Sequence, residues 1–241
     1  MNKITLLILC LLPFCITAQS SDQELRTLLN QCLGKIKTIE SPPKGKAYYM
    51  SYATRTAFND PSIKPVTSEV ELIVTHEQSH YRSKEFDYFH DQKDAFTIMP
   101  MTRMIFWSDS PALLLKKRDL SPLASFRDQA LSRAKLTQLK NNTGNTNSIL
   151  VKIEHDQELQ QQVDYQYVVL ELDTQRKQVT RTLFKYKEKH DVDKLEIKYN
   201  TIDMNYKVST PKQVRNLVVS NDSKLLSKYN HFKLIDNRSS K

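Results

Sequence analysis

The chain has 241 residues, 39% of them hydrophobic, with a formal net charge of +9 and only three glycines and three cysteines. With glycine only at Gly34, Gly45 and Gly144, a glycine-rich phosphate loop is excluded. Turns fall to Asn, Asp, Ser and Pro.

The first residues have the three parts of a secretory signal. Asn2 and Lys3 form a polar, basic start, an apolar run extends from Ile4 to Ile16, and Thr17-Ala18 offers a small residue at the cut. The run is shorter than the roughly 20 residues that span a bilayer. We therefore read residues 1–18 as a signal peptide and residues 19–241 as one domain. The alternative, lipidation at Cys15, is disfavoured by Phe14, where lipoprotein signals carry a small residue. Cleavage after Ala18 leaves Cys32 alone, so no internal disulfide framework is available. The expected location is periplasmic or secreted. Export makes nucleic acid an unlikely match for the positive charge and leaves peripheral contact with an anionic membrane as an expectation.

Residues 22–40 predict a helix. Leu25, Leu28, Leu29, Cys32, Leu33, Ile36 and Ile39 recur at helical spacing, Ser21 or Asp22 can cap it, and Pro42-Pro43 ends it. Cys32 lies on the apolar stripe and reads as a core residue. From Lys46 the period becomes two. Tyr48, Met50 and Tyr52 alternate with smaller or polar residues, and Val70, Leu72 and Val74 with Glu69, Glu71 and Ile73. Phe96 and Ile98 follow the same rule, then Met104 and Phe106, with Trp107 on the opposite parity. These predict half-buried antiparallel strands.

A second helix is expected over 121–133, with Ser121 as cap and Pro122 at its first position. A strand over 135–140 and a turn at 141–145 follow. The second half alternates again at Ile149/Val151/Ile153, Val168/Leu170/Leu172, Phe184/Tyr186 and Leu195/Ile197/Tyr199. Asp173-Thr174-Gln175-Arg176 reads as a hairpin turn. Tyr229, Phe232, Leu234 and Ile235 suggest a last strand near the C-terminus. The order predicts an α+β fold, a single sheet packed against helices.

His76-Glu77-Gln78-Ser79-His80 fits the zinc hydrolase pattern H-E-x-x-H. That chemistry needs a helix, where histidines four apart share one metal and the glutamate polarises its water. The approach through Val70-Glu71-Leu72-Ile73-Val74-Thr75 reads as strand. On a strand the two rings would stand about 13 Å apart at roughly 3.3 Å per residue. Each zinc-binding nitrogen lies only about 2.0–2.1 Å from its metal. We read these residues as surface-facing strand, and zinc hydrolysis as the less favoured alternative.

The layout resembles the outer-membrane lipoprotein carrier superfamily of the LolA and LolB type, and secreted Bacteroidetes proteins that share the pattern. The resemblance is carried by the stretch from Leu25 through Ile39 into Tyr48-Tyr49-Met50, by the hairpin from Val168 to Phe184, and by the closing strand from Leu195 to Asn205. It implies a strongly curved antiparallel sheet, an open half-barrel with helices on its concave face. It also implies a cavity for a lipid or other hydrophobic ligand, without catalysis, cofactor or metal. The candidate lining is Val70, Leu72, Val74, Phe96, Ile98, Met104, Phe106, Val168, Leu170, Leu172, Phe184 and Tyr186. The expected partner is that ligand, bound by a monomer. An envelope protein partner remains the alternative, with the chain as a non-catalytic component of an envelope or secretion assembly.

Overall fold

A computed structural model describes residues 22–40, 42–110, 131–140, 147–208 and 213–239. The leader with Cys15, most of the helix expected over 121–133, and the turn at 141–145 lie outside the described residues. The last turn of that helix, Leu131–Arg133, is helical.

Helix α1 (Asp22–Glu40) is followed by β1 (Ala47–Phe58), β2 (Val66–Thr75), β3 (Ser79–Ser83), β4 (Asp87–His90), β5 (Asp94–Met99) and β6 (Met104–Asp109). Next come β7 (Lys135–Leu139), β8 (Ser148–Glu154), a short helix α2 (Gln157–Gln162), β9 (Tyr165–Asp173), β10 (Gln178–Tyr186) and β11 (Val192–Asp203). Two 3-10 turns, Val214–Leu217 and Ser227–Tyr229, lead to β12 (Lys233–Asp236).

These strands form one 12-stranded sheet in the order β12-β6-β5-β4-β3-β2-β1-β11-β10-β9-β8-β7. Two meanders, β1–β6 and β7–β11, are joined where the two longest strands, β1 and β11, pair antiparallel. Among the described strands only β12 runs parallel to its neighbour, β6. The sheet is curved and does not close on itself. Irregularities at Ser51/Tyr52, Ala57/Phe58, Val179/Arg181 and Lys185/Tyr186 interrupt the ladders where long strands bend. The two edges are short strands, and Lys135 on β7 and Lys233 on β12 are exposed, which discourages edge pairing.

Each face of the sheet is covered at a different end. Leu25, Leu29 and Cys32 of α1 pack on Val151, Leu170, Leu172 and Val179. We call this the helix face. Arg26 anchors the helix by donating to the carbonyls of Leu131 (3.0 Å) and Ala134 (2.7 Å), oxygens that a helix end leaves unpaired. At the other end Val214, Val218 and Val219 pack on Phe89, Phe96, Ile105 and Trp107. This is the tail face.

Hairpin chemistry follows the sequence. The Asp173 carboxylate accepts from the backbone N–H groups of Gln175 and Arg176, and Lys177 takes φ 51°, as a tight turn demands. The helix α2, not expected from its polar sequence, is capped by Asp156, which accepts from the Leu159 N–H at 3.0 Å, and is pinned by the buried Leu159.

Candidate functional site: an apolar row on the helix face

Residues directly opposite one another on neighbouring strands share a face. Val151, Leu170, Thr182, Ile197 and Thr54 are opposite in turn, which carries the helix face from β8 to β1. Alternation along β1 then places Tyr52 and Met50 on it. From Met50 one row crosses the sheet: Ile202, Met50, Leu72, Tyr81, Tyr88, Thr97, Phe106 and Ile235. At about 4.8 Å per strand it spans roughly 34 Å. Met50 is buried and the other seven are half-buried.

The row has no charged member. A second rank of aromatics flanks it. Tyr52 lies between Val70 and Tyr199, with its ring centre 6.0 Å from that of Tyr199, and Tyr81 stacks on Phe86 at 5.1 Å. Burial pushes the phenols of Tyr52, Tyr88 and Tyr199 above their ordinary range, Tyr52 furthest, with Tyr81 adding to its shift. These rings stay neutral at any physiological pH. The surface they make is broad, aromatic and uncharged, with a few phenol hydroxyls able to orient a ligand.

The expected lining residues separate into three groups, with Tyr186 apart from all of them. Val70, Leu72, Val74, Met104 and Phe106 share this face with the row. Val168, Leu170, Leu172 and Phe184 also lie on the helix face, but in the packed core beneath α1, where Leu172 is fully buried. Phe96 and Ile98 point the other way. Their register partners are Trp107 and Ile105, and they form the tail-face core. Alternation shows that one side of β5 is apolar but not which side of the sheet that is. Here the C-terminal valines cover it. Tyr186 sits beyond the irregularity at Lys185 and stacks on His190 at 4.5 Å. Tyr81 and Tyr88 are absent from the expected lining. Their signal is present, as each has the parity of its strand's helix face, but the strands are too short to show a period.

The H-E-x-x-H stretch does not form a helix. His76 and Glu77 are exposed in the turn between β2 and β3, and His76 Nδ1 lies 3.2 Å from the Pro42 carbonyl. This corrects the expectation of continuous strand. His80 is on β3, half-buried on the tail face and stacked on Phe89 at 4.1 Å. The two rings belong to different elements. Among the described residues no group of three or more His, Cys, Asp or Glu side chains is placed to hold a metal. Cys32 is fully buried, and burial raises its thiol pKa, which suits a core residue.

No protein family profile and no curated protein matches the sequence. Several solved structures align with the chain at low identity. An uncharacterized conserved protein from Thermus thermophilus shares 7% identity at a TM-score of 0.43, over 89% of this chain and 99% of that one. A LolA superfamily protein from Nitrosomonas europaea shares 12% at 0.34, over 78% and 96%. A chain of the Pseudomonas aeruginosa MucA/MucB complex shares 10% at 0.45, over 84% and 63%.

Proposed function

We propose that this chain is a non-enzymatic binding protein of the periplasm or exterior, monomeric, which holds a lipid or another hydrophobic ligand against the helix face. The carrying observation is the uncharged row from Met50 through Leu72, Tyr81 and Tyr88 to Phe106. Half-buried aromatic side chains in such a band favour an apolar body over water by about 25 cal/mol for each Å² covered. The row shares Leu72 and Phe106 with the lining that the resemblance to lipoprotein carriers implies, and it lies on β1–β6, away from the core under α1.

The outer sheet supports a docking role less well. Several of its cations are drawn into ion pairs. Arg181 reaches Glu171 (3.0 Å) and Glu196 (3.1 Å), Lys152 reaches Glu154 (2.7 Å), and Lys185 pairs with Asp193. An anionic membrane or acidic partner would have to compete with these internal carboxylates.

Native mass spectrometry of protein purified from its own host tests the reading. A co-purifying lipid is expected, together with binding of a hydrophobic dye that Leu72→Glu and Tyr88→Glu each abolish. A clean apo mass and no dye binding would overturn it.

A further inference from the structure

Three of the six methionines fall within one short stretch, Met99-Pro100-Met101-Thr102-Arg103-Met104, and the fold bends that stretch into the β5–β6 hairpin. Met99 and Met104 are register partners, the last pair of the ladder before the turn. They have the parity of Thr97 and Phe106, so both side chains are on the helix face. Both are half-buried. Met101 stands in the turn itself and is 86% exposed, the most exposed large hydrophobic side chain among the described residues.

The turn has a fixed shape. The Arg103 N–H donates to the Pro100 carbonyl at 3.3 Å, and Arg103 takes φ 53°. The Lys233 N–H donates to the Arg103 carbonyl at 2.8 Å, which ties the hairpin to β12. Packing accounts for Met99 and Met104, since methionine fills irregular apolar gaps. It does not account for Met101, which withdraws little surface from water. What the three residues share is a thioether sulfur, a soft ligand that selects copper(I) over hard ions. Two sulfurs bound to one ion at about 2.3 Å each lie at most about 4.6 Å apart. Cβ atoms of directly opposed residues stand about 4.5–5.5 Å apart, so Met99 and Met104 can meet that span. Lys233 is opposite Met104, and Arg103 is in the turn. Their charges oppose a divalent ion about twice as strongly as a monovalent one.

We propose that the β5–β6 hairpin is a binding site for a soft monovalent metal ion, copper(I) or silver(I), held by the sulfurs of Met99, Met101 and Met104. The facing strands supply two sulfurs from fixed backbone positions. The flexible Met101 side chain supplies the third by folding over that pair. The site needs no ligand on the aromatic row and stands without that reading.

Titration of silver nitrate, in chloride-free buffer, into protein with isotope-labelled methionine methyl groups tests this by NMR. Silver stays monovalent in air, and the methyl signals report on the sulfurs themselves. The signals of Met99, Met101 and Met104 should move together and saturate at one ion per chain, while those of Met50 and Met204 stay in place. Met104→Leu nearly conserves side-chain volume, so the fold is retained, and circular dichroism checks that. It should raise at least tenfold the silver concentration needed to move the Met99 and Met101 signals. Zinc(II) should move none of the three. Folded Leu72→Glu, which abolishes dye binding, should titrate with silver as the wild type does. Unmoved hairpin signals, equal movement of Met50 and Met204, or an unchanged titration in Met104→Leu would overturn the proposal. So would zinc(II) moving the same signals, or loss of the titration in Leu72→Glu.

Discussion

The guanidinium carbon of Arg238 lies 3.4 Å from the centre of the Trp107 ring, so the last described residues of the chain are stacked on the middle of β6. Trp107 is itself fully buried, and its indole N–H donates to Asp94 Oδ1 at 2.7 Å. Arg238 is held flat by Asp236, which accepts from its Nε (2.9 Å) and Nη2 (2.8 Å). This contact secures β12, the parallel strand at the sheet edge. Arg238→Ala should lower stability by about 1 kcal/mol, the size of a partly desolvated cation–π contact. Trp107→Ala should cost about 3–5 kcal/mol through the cavity it leaves. Urea unfolding checks both, and hydrogen exchange should show faster opening of 233–236 in the arginine variant.

Asp91 is the second fastening of the tail. Its side chain is buried, with Oδ1 accepting from the N–H groups of Lys93 (2.8 Å) and Asp94 (2.9 Å) and Oδ2 from that of Val214 (3.0 Å). Asp91→Ala strands a buried N–H on Val214 and opens the β4–β5 turn. A loss of about 3 kcal/mol is expected, as for removal of several charge-assisted hydrogen bonds. Asp91→Asn keeps an acceptor and should lose roughly half as much. Denaturant unfolding of the two variants checks the order.

These two residues mark where sequence reading stops. Periodicity finds α1, β1, β2 and β8–β11 because each has enough residues to display its period. It also separates Trp107 from Met104 and Phe106 correctly. The bond from Asp91 to Val214 is not legible, since nothing near Asp91 in the chain specifies a partner so distant. The same holds for Phe96 and Ile98. Their alternation is clear, and the face they point to is set by Val214, Val218 and Val219. Helix α2 escapes because Gln157-Glu158-Leu159-Gln160-Gln161-Gln162 has one apolar residue and no stripe, and only the cap at Asp156 signals it.

The pH dependence of stability should show two windows. Burial pushes the imidazoles of His80 and His90 below the usual histidine value, with Arg82 adding to the effect at His80. Asp87 and Glu71 oppose it at His80, and Asp91 at His90, and in both cases burial prevails. The fold therefore favours neutral rings, and the unfolded chain takes up protons first as pH falls through about 6.5. Stability is full above that value, declines below it, and levels off once the folded rings also protonate. The carboxylates of Asp156 and Asp193 are held low, the first mainly by the Leu159 N–H and the second mainly by Lys185. Their contribution persists to about pH 4 and is lost below it as they protonate. Denaturant midpoints measured at pH 7.5, 5.5 and 3.5 check this. His80→Phe keeps the stack on Phe89 and should reduce the first window to the share that His90 carries, while leaving the second intact.

Core and ligand surface on the helix face should separate by mutation. Leu172 is fully buried against the cluster that holds Leu25, Leu29 and Cys32. Leu172→Ala should cost about 2–5 kcal/mol, because that packing leaves a void on truncation. Leu72 and Phe106 are half-buried on the row, so truncation removes less packing. Leu72→Ala and Phe106→Ala should each cost under about 2 kcal/mol, in proportion to the smaller area they withdraw from water. Ligand binding should show the reverse order: Leu72→Ala and Phe106→Ala should weaken uptake of a hydrophobic dye several-fold, and Leu172→Ala should leave it near the wild-type level while folded. Equal stability losses at Leu72, Phe106 and Leu172, with dye binding unaffected, would make the row a closed core and remove the basis for a ligand there.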